Sequence, residues 1–249
     1  MDSLITKINE LAHQKKYDKI VGRVPQEAIE VFQSSGYRIE ATIPKLYNGK
    51  TTGYFLADYL NGERRQCTEG KLKTIASVKT IARAASAPLK NSNFTLGNGL
   101  HVRKLNKEDM FALADLHAKA FKTYPLPIHK PEYLIELSDK NHEFYGLFKY
   151  GELLVSTIVK ILDTESNLEI VDFATHPDCR GQNLSYYLVQ QVKKNRVQMG
   201  CKAIYSLVRA SSYGLNITFS KQGFTLGGTL YNDTMIRDNL ESMNVWYCH

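Results

Sequence analysis

Apolar and polar positions change period several times along the chain, and each change marks an element. In NLSYYLVQQVKKNRVQMG, Leu184, Leu188 and Val192 recur every four residues, which predicts a helix closed by Gly200. The preceding NLEIVDFATHP reads as a strand, and the following CKAIYSLVRA as a buried strand. EFYGLFKYGELLVSTIVKIL contains two β-rich runs joined at Tyr150-Gly151, the pattern of a hairpin. Further on, SYGLNITFSKQG predicts a shorter helix, and FTLGGTLYN and MNVWYC two final strands. Upstream, GLHVRKL is a short strand, and Asn106 ahead of Lys107, Glu108 and Asp109 forms a capped helix start leading into MFALADLHAKAF. PEYLIELS adds another short helix. The sum is an α/β protein with a mixed sheet covered by helices.

The first part of the chain has a related order. DKIVGRV is a strand, PQEAIEVFQSSG a helix with Pro25 near its start, and YRIEATIPKLYNG and KTTGYFLADYL are strands, giving β-α-β-β. Aligning VFQSSGYRIEATI with TFSKQGFTLGGTL places Phe32 on Phe219, Gly36 on Gly223, Tyr37 on Phe224 and Thr42 on Thr229. A partial internal duplication explains this, and so does convergence on a generic helix-Gly-strand turn. Between the two parts, RRQCTEGKLKTIASVKTIARAASAPLKNSN lacks strand alternation and ends in Pro88 and an Asn/Ser cluster. The expected division is residues 1–63, a basic helical connector over 64–98, and a main domain over 99–249.

Composition narrows the class. With 249 residues, 43% hydrophobic and 23% charged, the chain can bury a core, and intrinsic disorder is a poor fit. No apolar run approaches the ~18–20 residues of a membrane span, and MDSLITKINELAHQKK lacks the form of a secretory leader. The expectation is a cytoplasmic protein without a membrane partner. Cys67, Cys179, Cys201 and Cys248 are scattered without zinc-site spacing, and His176 with Cys179 does not fill a tetrahedral site, so no metal is expected. The net charge of +7 is local: residues 1–99 hold 15 Lys and Arg against 9 Asp and Glu, while the remainder is nearly balanced. Most of the excess lies between Arg64 and Lys90, a stretch with no aromatic residue for base stacking. A solvated connecting helix is the first reading of it, a phosphate-attracting surface the second, and nucleic acid is not an expected partner.

The most informative segment is VDFATHPDCRGQNLSYYLVQQ, where a strand ends at Pro177, turns through Arg180-Gly181 and launches a long helix. N–H groups freed at a helix start, together with the helix dipole and a nearby Arg, bind a pyrophosphate. The segment resembles the phosphate-binding pattern R/Q-x-x-G-x-G/A of the GNAT superfamily of acyl-CoA-dependent N-acetyltransferases. Here it reads Arg180-Gly181-Gln182-Asn183-Leu184-Ser185, with Asn183 and Ser185 in place of the two later small positions. GYRIEATIPKLYNG, YFLADYL with Arg64, TYPLPI with PEYL, and the ending YSLVRASSYGLNITFSKQGF, GGTLYNDTMI and ESMNVWY narrow the resemblance to the beta-lysine N-acetyltransferase family, over nearly the whole chain.

That resemblance implies a splayed GNAT-type sheet with a partial GNAT-like N-terminal half, acetyl-CoA as co-substrate, and acetyl transfer to the terminal amine of beta-lysine (3,6-diaminohexanoate), giving an osmolyte. The small amine is then the expected partner; oligomeric state stays open. The alternatives are another small amine, lysine or a protein amino group as acceptor, or a non-catalytic acyl-CoA-binding regulator. Phe173, Ala174 and Thr175 are expected to offer backbone hydrogen bonds to the pantetheine arm. Asn216 occupies a helix position that often contacts this arm, with a simple surface amide as the other reading. Many members carry a Tyr four residues before the Gly of the last helix as general acid; here that residue is Phe219, with Tyr213, Ser211 and Ser212 as nearby substitutes.

The chemistry sets its own demands. A terminal alkyl ammonium with a pKa of about 10.4 is neutral in only about one molecule in a thousand at pH 7.4, a deficit of roughly 4 kcal/mol, so a proton acceptor is needed. Asp172 and Glu169 lie on the strand entering the phosphate turn, on opposite faces if the strand is regular. Asp172, nearer the expected thioester, is the preferred base, directly or through a water; a carboxylate fixing a loop or an Arg is the alternative. For the substrate's own charges, Arg209 is the candidate for the carboxylate, Glu241, Asn232 and Asn244 for the β-amine, and Tyr124 for the pocket wall, each with a structural role as its alternative.

Overall fold

The structure, a computed structural model, describes residues 2–86, 96–122, 124, 126–236 and 239–249. Pro88, Lys90 and the Asn/Ser cluster expected to end the connector lie outside the described residues.

Ten strands form one sheet: β1 (Lys19–Pro25), β2 (Arg38–Tyr47), β3 (Thr51–Tyr59), β4 (Leu100–Lys104), β5 (His142–Lys149), β6 (Glu152–Leu162), β7 (Asn167–Thr175), β8 (Ala203–Arg209), β9 (Thr225–Ile236) and β10 (Asn239–Cys248). Their order across the sheet is β1-β3-β2-β9-β10-β8-β7-β6-β5-β4, antiparallel except for the parallel β7–β8 pair. The helices are α1 (Asp2–Gln14), α2 (Ile29–Ser34), α3 (Gly62–Arg65), α4 (Glu69–Ala84), α5 (Met110–Ala120), α6 (Pro131–Ser138), α7 (Ser185–Gln198) and α8 (Tyr213–Lys221). The sequence pattern was silent on α1, whose Ile5 and Ala12 are buried.

Local signals account for most boundaries. Tyr150 and Gly151, at φ 50° and 90°, form the two-residue turn of the β5–β6 hairpin, whose twist requires positive φ. Asn106 and Asp109 make a reciprocal capping box at the start of the turn leading into α5. Gly200 at φ 70° follows the end of α7.

Two cores lie on opposite faces of the sheet. One joins Leu188, Val189 and Val192 of α7 and Phe219 of α8 to Leu168, Ile170, Ile204, Val208 and Trp246. The other joins Met110, Leu113, Ala114 and Leu116 of α5 and Leu134 of α6 to Phe144, Ile158 and Ala174. A third cluster comes from strands alone, Ile43, Leu46 and Phe55 of the first half packing with Tyr205, Leu230 and Val245.

The two halves meet at one register pair, Ala41 of β2 with Gly228 of β9. These residues occupy matching positions in the aligned segments 31–43 and 218–230. The local geometry also recurs. Gly36 and Gly223 both have positive φ, Tyr37 N–H donates to Phe32 O at 3.1 Å and Phe224 N–H to Phe219 O at 3.1 Å. Phe32 packs edge-on to Tyr37 at 5.1 Å and Phe219 edge-on to Phe224 at 4.8 Å. β1-α2-β2-β3 and β8-α8-β9-β10 thus have the same order, arranged outward in opposite directions from the Ala41–Gly228 contact.

Buried ionic contacts reinforce this junction. Lys19 Nζ donates to Glu40 Oε2 at 3.0 Å and to the Tyr231 carbonyl at 2.7 Å, and lies 3.6 Å from Asp233 Oδ1. The connector is not a merely solvated helix. Ile75, Val78 and Ala82 recur at helical spacing on one face of α4, are buried, and α4 packs on α8, leaving Lys71, Lys73 and Arg83 outside. Arg64 is tied to Asp18 and to the carbonyls of Asn232 and Asp233.

Candidate active site

β7 pairs with β6 along its length but with β8 only from Asn167 to Ile170. Beyond that point β8 follows β10, Leu207, Val208 and Arg209 pairing with Val245, Asn244 and Met243. The strands therefore splay, and the β8-facing edge of Asp172–Thr175 has no strand partner among the described residues. Phe173, Ala174 and Thr175, expected along the pantetheine arm, all lie on this edge.

The expectation that Glu169 and Asp172 face opposite sides is corrected by a β-bulge. Asp172 pairs with Ile158 and Ile170 with Val159, so Val171 is an extra residue and alternation is reset there. Glu169 pairs with Lys160 and Asp172 with Ile158, both on the same face of β6, so the two carboxylates share the α5 face. They differ in surroundings. Glu169 accepts from Tyr205 Oη at 2.9 Å; Tyr205 also accepts from Arg23, which binds both oxygens of Glu165. Glu169 is thus held in a network anchored by the first half.

Asp172 is 9% exposed. Tyr124 Oη donates to its Oδ1 at 3.3 Å, and His117 Nε2 lies 3.3 Å from Oδ2, although Oδ2 makes no hydrogen bond among the described residues. Burial pushes the Asp172 carboxyl up to about 6, against the opposing effect of bonds from Tyr124 and the Phe173 backbone. Burial pushes His117 down to about 4, partly offset by the Ile128 carbonyl at Nδ1. Tyr124 is held well above the usual tyrosine range by burial and then by the Asp172 charge. A buried carboxyl poised near neutrality beside the free edge of β7 is suited to accept a proton. His117 was not among the sequence candidates. Its signal is its place in the stripe Met110, Leu113, Ala114, His117, a single polar ring on the buried side of α5.

The phosphate turn fits an anion. Gly181 and Asn183 have φ 78° and 57°, and asparagine tolerates this region better than most residues, which explains Asn183 where the family pattern has glycine. Asn183 Oδ1 also accepts from Thr218 Oγ1 at 3.1 Å, tying the turn to α8. The N–H groups of Gly181, Gln182, Asn183 and Leu184 take no backbone acceptor among the described residues, and α7, which begins at Ser185, has no side-chain N-cap. Arg180 donates to the Ala120 carbonyl at the end of α5 at 2.8 Å, and Gln182 to the Asp178 carbonyl at 3.3 Å.

Several other sequence candidates have structural engagements. Asn216, expected at the pantetheine arm, is fully buried: Nδ2 donates to the Arg209 and Ser212 carbonyls, and Oδ1 accepts from Asn244 and Trp246. Both donors and both lone pairs are used, so no capacity remains for a ligand. Asn244, expected at the β-amine, is equally buried and also accepts from Thr229. Asn232 donates to the carbonyls of Arg64 and Gln66, fastening the connector to β9. Tyr213, expected as a general acid, donates to Ser77 Oγ on α4 at 3.0 Å, so its hydroxyl is turned to that helix. Phe219 is buried between Phe173 and Phe224. Glu241 accepts from Ser211 Oγ at 3.1 Å, and Arg209 is exposed at the end of β8. Asp172 and Tyr124 are thus brought together, while Asn216, Asn244 and Asn232 serve the frame.

Residues 110–224 match the acetyltransferase (GNAT) family model. That segment belongs to the GNAT family. A beta-lysine N(6)-acetyltransferase of Methanococcus maripaludis is 27% identical over 246 residues, 98% of this chain and 87% of that protein. The N-acetyltransferase YodP of Bacillus subtilis is 28% identical over 94% of this chain and 83% of its own length. Among solved structures, the ribosomal-protein-S18-alanine N-acetyltransferase of Escherichia coli has a TM-score of 0.52 at 16% identity, covering 59% of this chain and 92% of its own. The yncA protein of Salmonella typhimurium, solved with its cofactor acetyl-CoA, has a TM-score of 0.52 at 12% identity, covering 61% of this chain and 94% of its own. The GNAT fold, with a mixed sheet flanked by helices, and N-acetyltransferase activity are the common ground of these matches, and the chain is an N-acetyltransferase whose residues 110–224 match the GNAT family model.

Proposed function

We propose that this enzyme transfers the acetyl group of acetyl-CoA to the terminal amine of beta-lysine. The observation that carries the reading is the buried Asp172 at the bulge, facing Tyr124 beside the splayed edge of β7, within a chain similar over nearly its whole length to enzymes named for this acceptor. When bound, acetyl-CoA supplies the activated thioester. The N–H groups of Gly181–Ser185 hold its diphosphate, and the free edge of Phe173–Thr175 lines its pantetheine arm.

Asp172 takes one proton from the substrate ammonium, leaving a neutral amine to attack the thioester carbon. Tyr124 orients the carboxylate through Oδ1 and walls the amine site. No phenol stands at Phe219, and a leaving thiol with a pKa near 8.5 needs an acid less than the amine needs a base. Arg209, exposed at the cleft end of β8, is our candidate for the substrate carboxylate, and Glu241 for the β-ammonium. The product keeps one ammonium and one carboxylate and is net neutral, which suits an osmolyte made in the cytoplasm.

Initial rates with acetyl-CoA and beta-lysine, lysine or spermidine test the acceptor. The expected result is a kcat/KM for beta-lysine at least tenfold above the others. A higher value for either rival overturns the assignment, and binding of acetyl-CoA with no turnover on any amine would point to the regulator instead.

A further inference from the structure

His117 is a buried ionisable group that the proposed reaction leaves without a task. It is 1% exposed, and its surroundings are fully specified. Nδ1 lies 3.2 Å from the Ile128 carbonyl, which can only accept, so Nδ1 carries the proton and Nε2 presents a lone pair. Nε2 faces Asp172 Oδ2 at 3.3 Å and Ser156 Oγ at 3.4 Å. The Phe121 ring lies against the imidazole, Tyr124 touches the other oxygen of Asp172, and Tyr133 of α6 is the next ionisable group beyond Tyr124.

A carboxylate oxygen and a bare imidazole nitrogen are both acceptors, so without a shared proton neither satisfies the other. Asp172 Oδ2 is accordingly a buried oxygen with no hydrogen-bond partner among the described residues. One added proton supplies the partner that Oδ2 lacks, because a protonated Asp172 donates to Nε2, which otherwise accepts from the Ser156 hydroxyl at 3.4 Å. We infer that Asp172 and His117 form a proton-sharing pair, in which His117 is a positioning residue that strengthens the base by accepting a hydrogen bond from its protonated form. This rests on Asp172 being the acceptor of the substrate's proton.

The proton count closes. The substrate ammonium gives one proton to Asp172, which then bonds to His117. The neutral nitrogen attacks, the C–N bond forms and the C–S bond breaks; the second nitrogen proton goes to the leaving sulfur. The pair returns its proton to solvent before the next cycle. With Asp172 poised near 6 and His117 near 4, the pair is empty and receptive at neutral pH.

His117→Asn tests the pair, because the shorter amide keeps a donor for Ile128 and leaves nothing at the Nε2 position. The expected result is an acid limb of the kcat/KM profile moved down by about one pH unit, with a plateau several-fold lower, since a weaker base is left. Asp172→Asn serves as control and is expected to abolish the limb. If it does so while His117→Asn leaves the limb in place, the pair is wrong and Asp172 as base stands; if the limb survives in Asp172→Asn, both readings fall. Nitrogen-15 spectra of the unmodified enzyme at pH 8 give a test independent of the variants. They should show His117 protonated at Nδ1 and bare at Nε2, and the opposite tautomer or an imidazolium would overturn the pair.

Discussion

Ala41 and Gly228 face each other at the single register pair where β2 meets β9. A Cβ on Gly228 would lie 2.2 Å from the Glu40 carbonyl oxygen and 2.6 Å from Ala41 Cα, contacts with backbone that cannot yield cheaply. Gly228→Ala should therefore cost on the order of 3 kcal/mol, by forcing the two strands apart. Gly22→Ala, where an added methyl meets nothing within 4 Å, is the matched control, expected within about 1 kcal/mol of the unmodified protein. Denaturant titration of both variants checks the difference, and equal losses would remove the close approach as its cause.

Asn216→Ala should destabilise without weakening cofactor binding. It strips partners from the buried Asn244 amide and Trp246 indole N–H, and about 2–4 kcal/mol follows from two unsatisfied buried donors. Folded variant protein should keep the acetyl-CoA KM within about twofold. A KM rising tenfold with unchanged Tm would instead restore Asn216 to the pantetheine arm.

The pH dependence of stability carries a compensation. His117, at about 4 folded against 6.5 unfolded, makes stability rise with pH between these values, because the unfolded state binds the proton first. Asp172, at about 6 folded against 3.8 unfolded, makes stability fall with pH over nearly the same window. The two effects have opposite sign over nearly the same pH range, so they oppose each other at this site. Relative to the unmodified protein, Asp172→Asn should gain stability on going from pH 4 to 6.5, and His117→Asn should lose it from pH 4 to 6. Chemical denaturation at several pH values reads both slopes, and parallel curves for the two variants would contradict the assignment.

Asn183→Ile places a β-branched side chain at φ 57° and removes the acceptor of Thr218. The left-handed backbone alone costs about 1–2 kcal/mol for such a residue. If the turn is the phosphate cradle, the Kd for CoA should rise about tenfold while Asn183→Gly changes it little. Calorimetric titration distinguishes this from a turn that takes no part in binding, for which neither variant would alter the affinity.

The sequence carried the elements better than their interior contacts. Tyr150-Gly151, Asn106 with Asp109, and Gly200 are local signals, complete within a few residues, and the corresponding turns and caps follow them. The bulge at Val171 was not legible, because an inserted residue is defined only by the partner strand, and the alternation of β7 alone gives no sign of it. That one residue decides which face Asp172 occupies, and so decides its neighbours. The bonds of Asn216, Asn232 and Asn244 are illegible for a related reason: an amide reads as available in the sequence, and only the packing of α8 on β10 and of the connector on β9 shows its donors and acceptors already taken. His117 was missed because a ring on an apolar helical stripe resembles core until the opposing strand supplies a carboxylate.

The continuity of the sheet bears on how the catalytic part can be handled. Residues 99–249 made alone would leave Gly228 of β9 without its partner Ala41 and uncover Tyr205, Leu230 and Val245, which pack with Ile43, Leu46 and Phe55 in the intact chain, a surface that would seek another neighbour. The first half supplies that neighbour from within the same polypeptide, so cutting it away should yield a fragment prone to self-association rather than a smaller working enzyme.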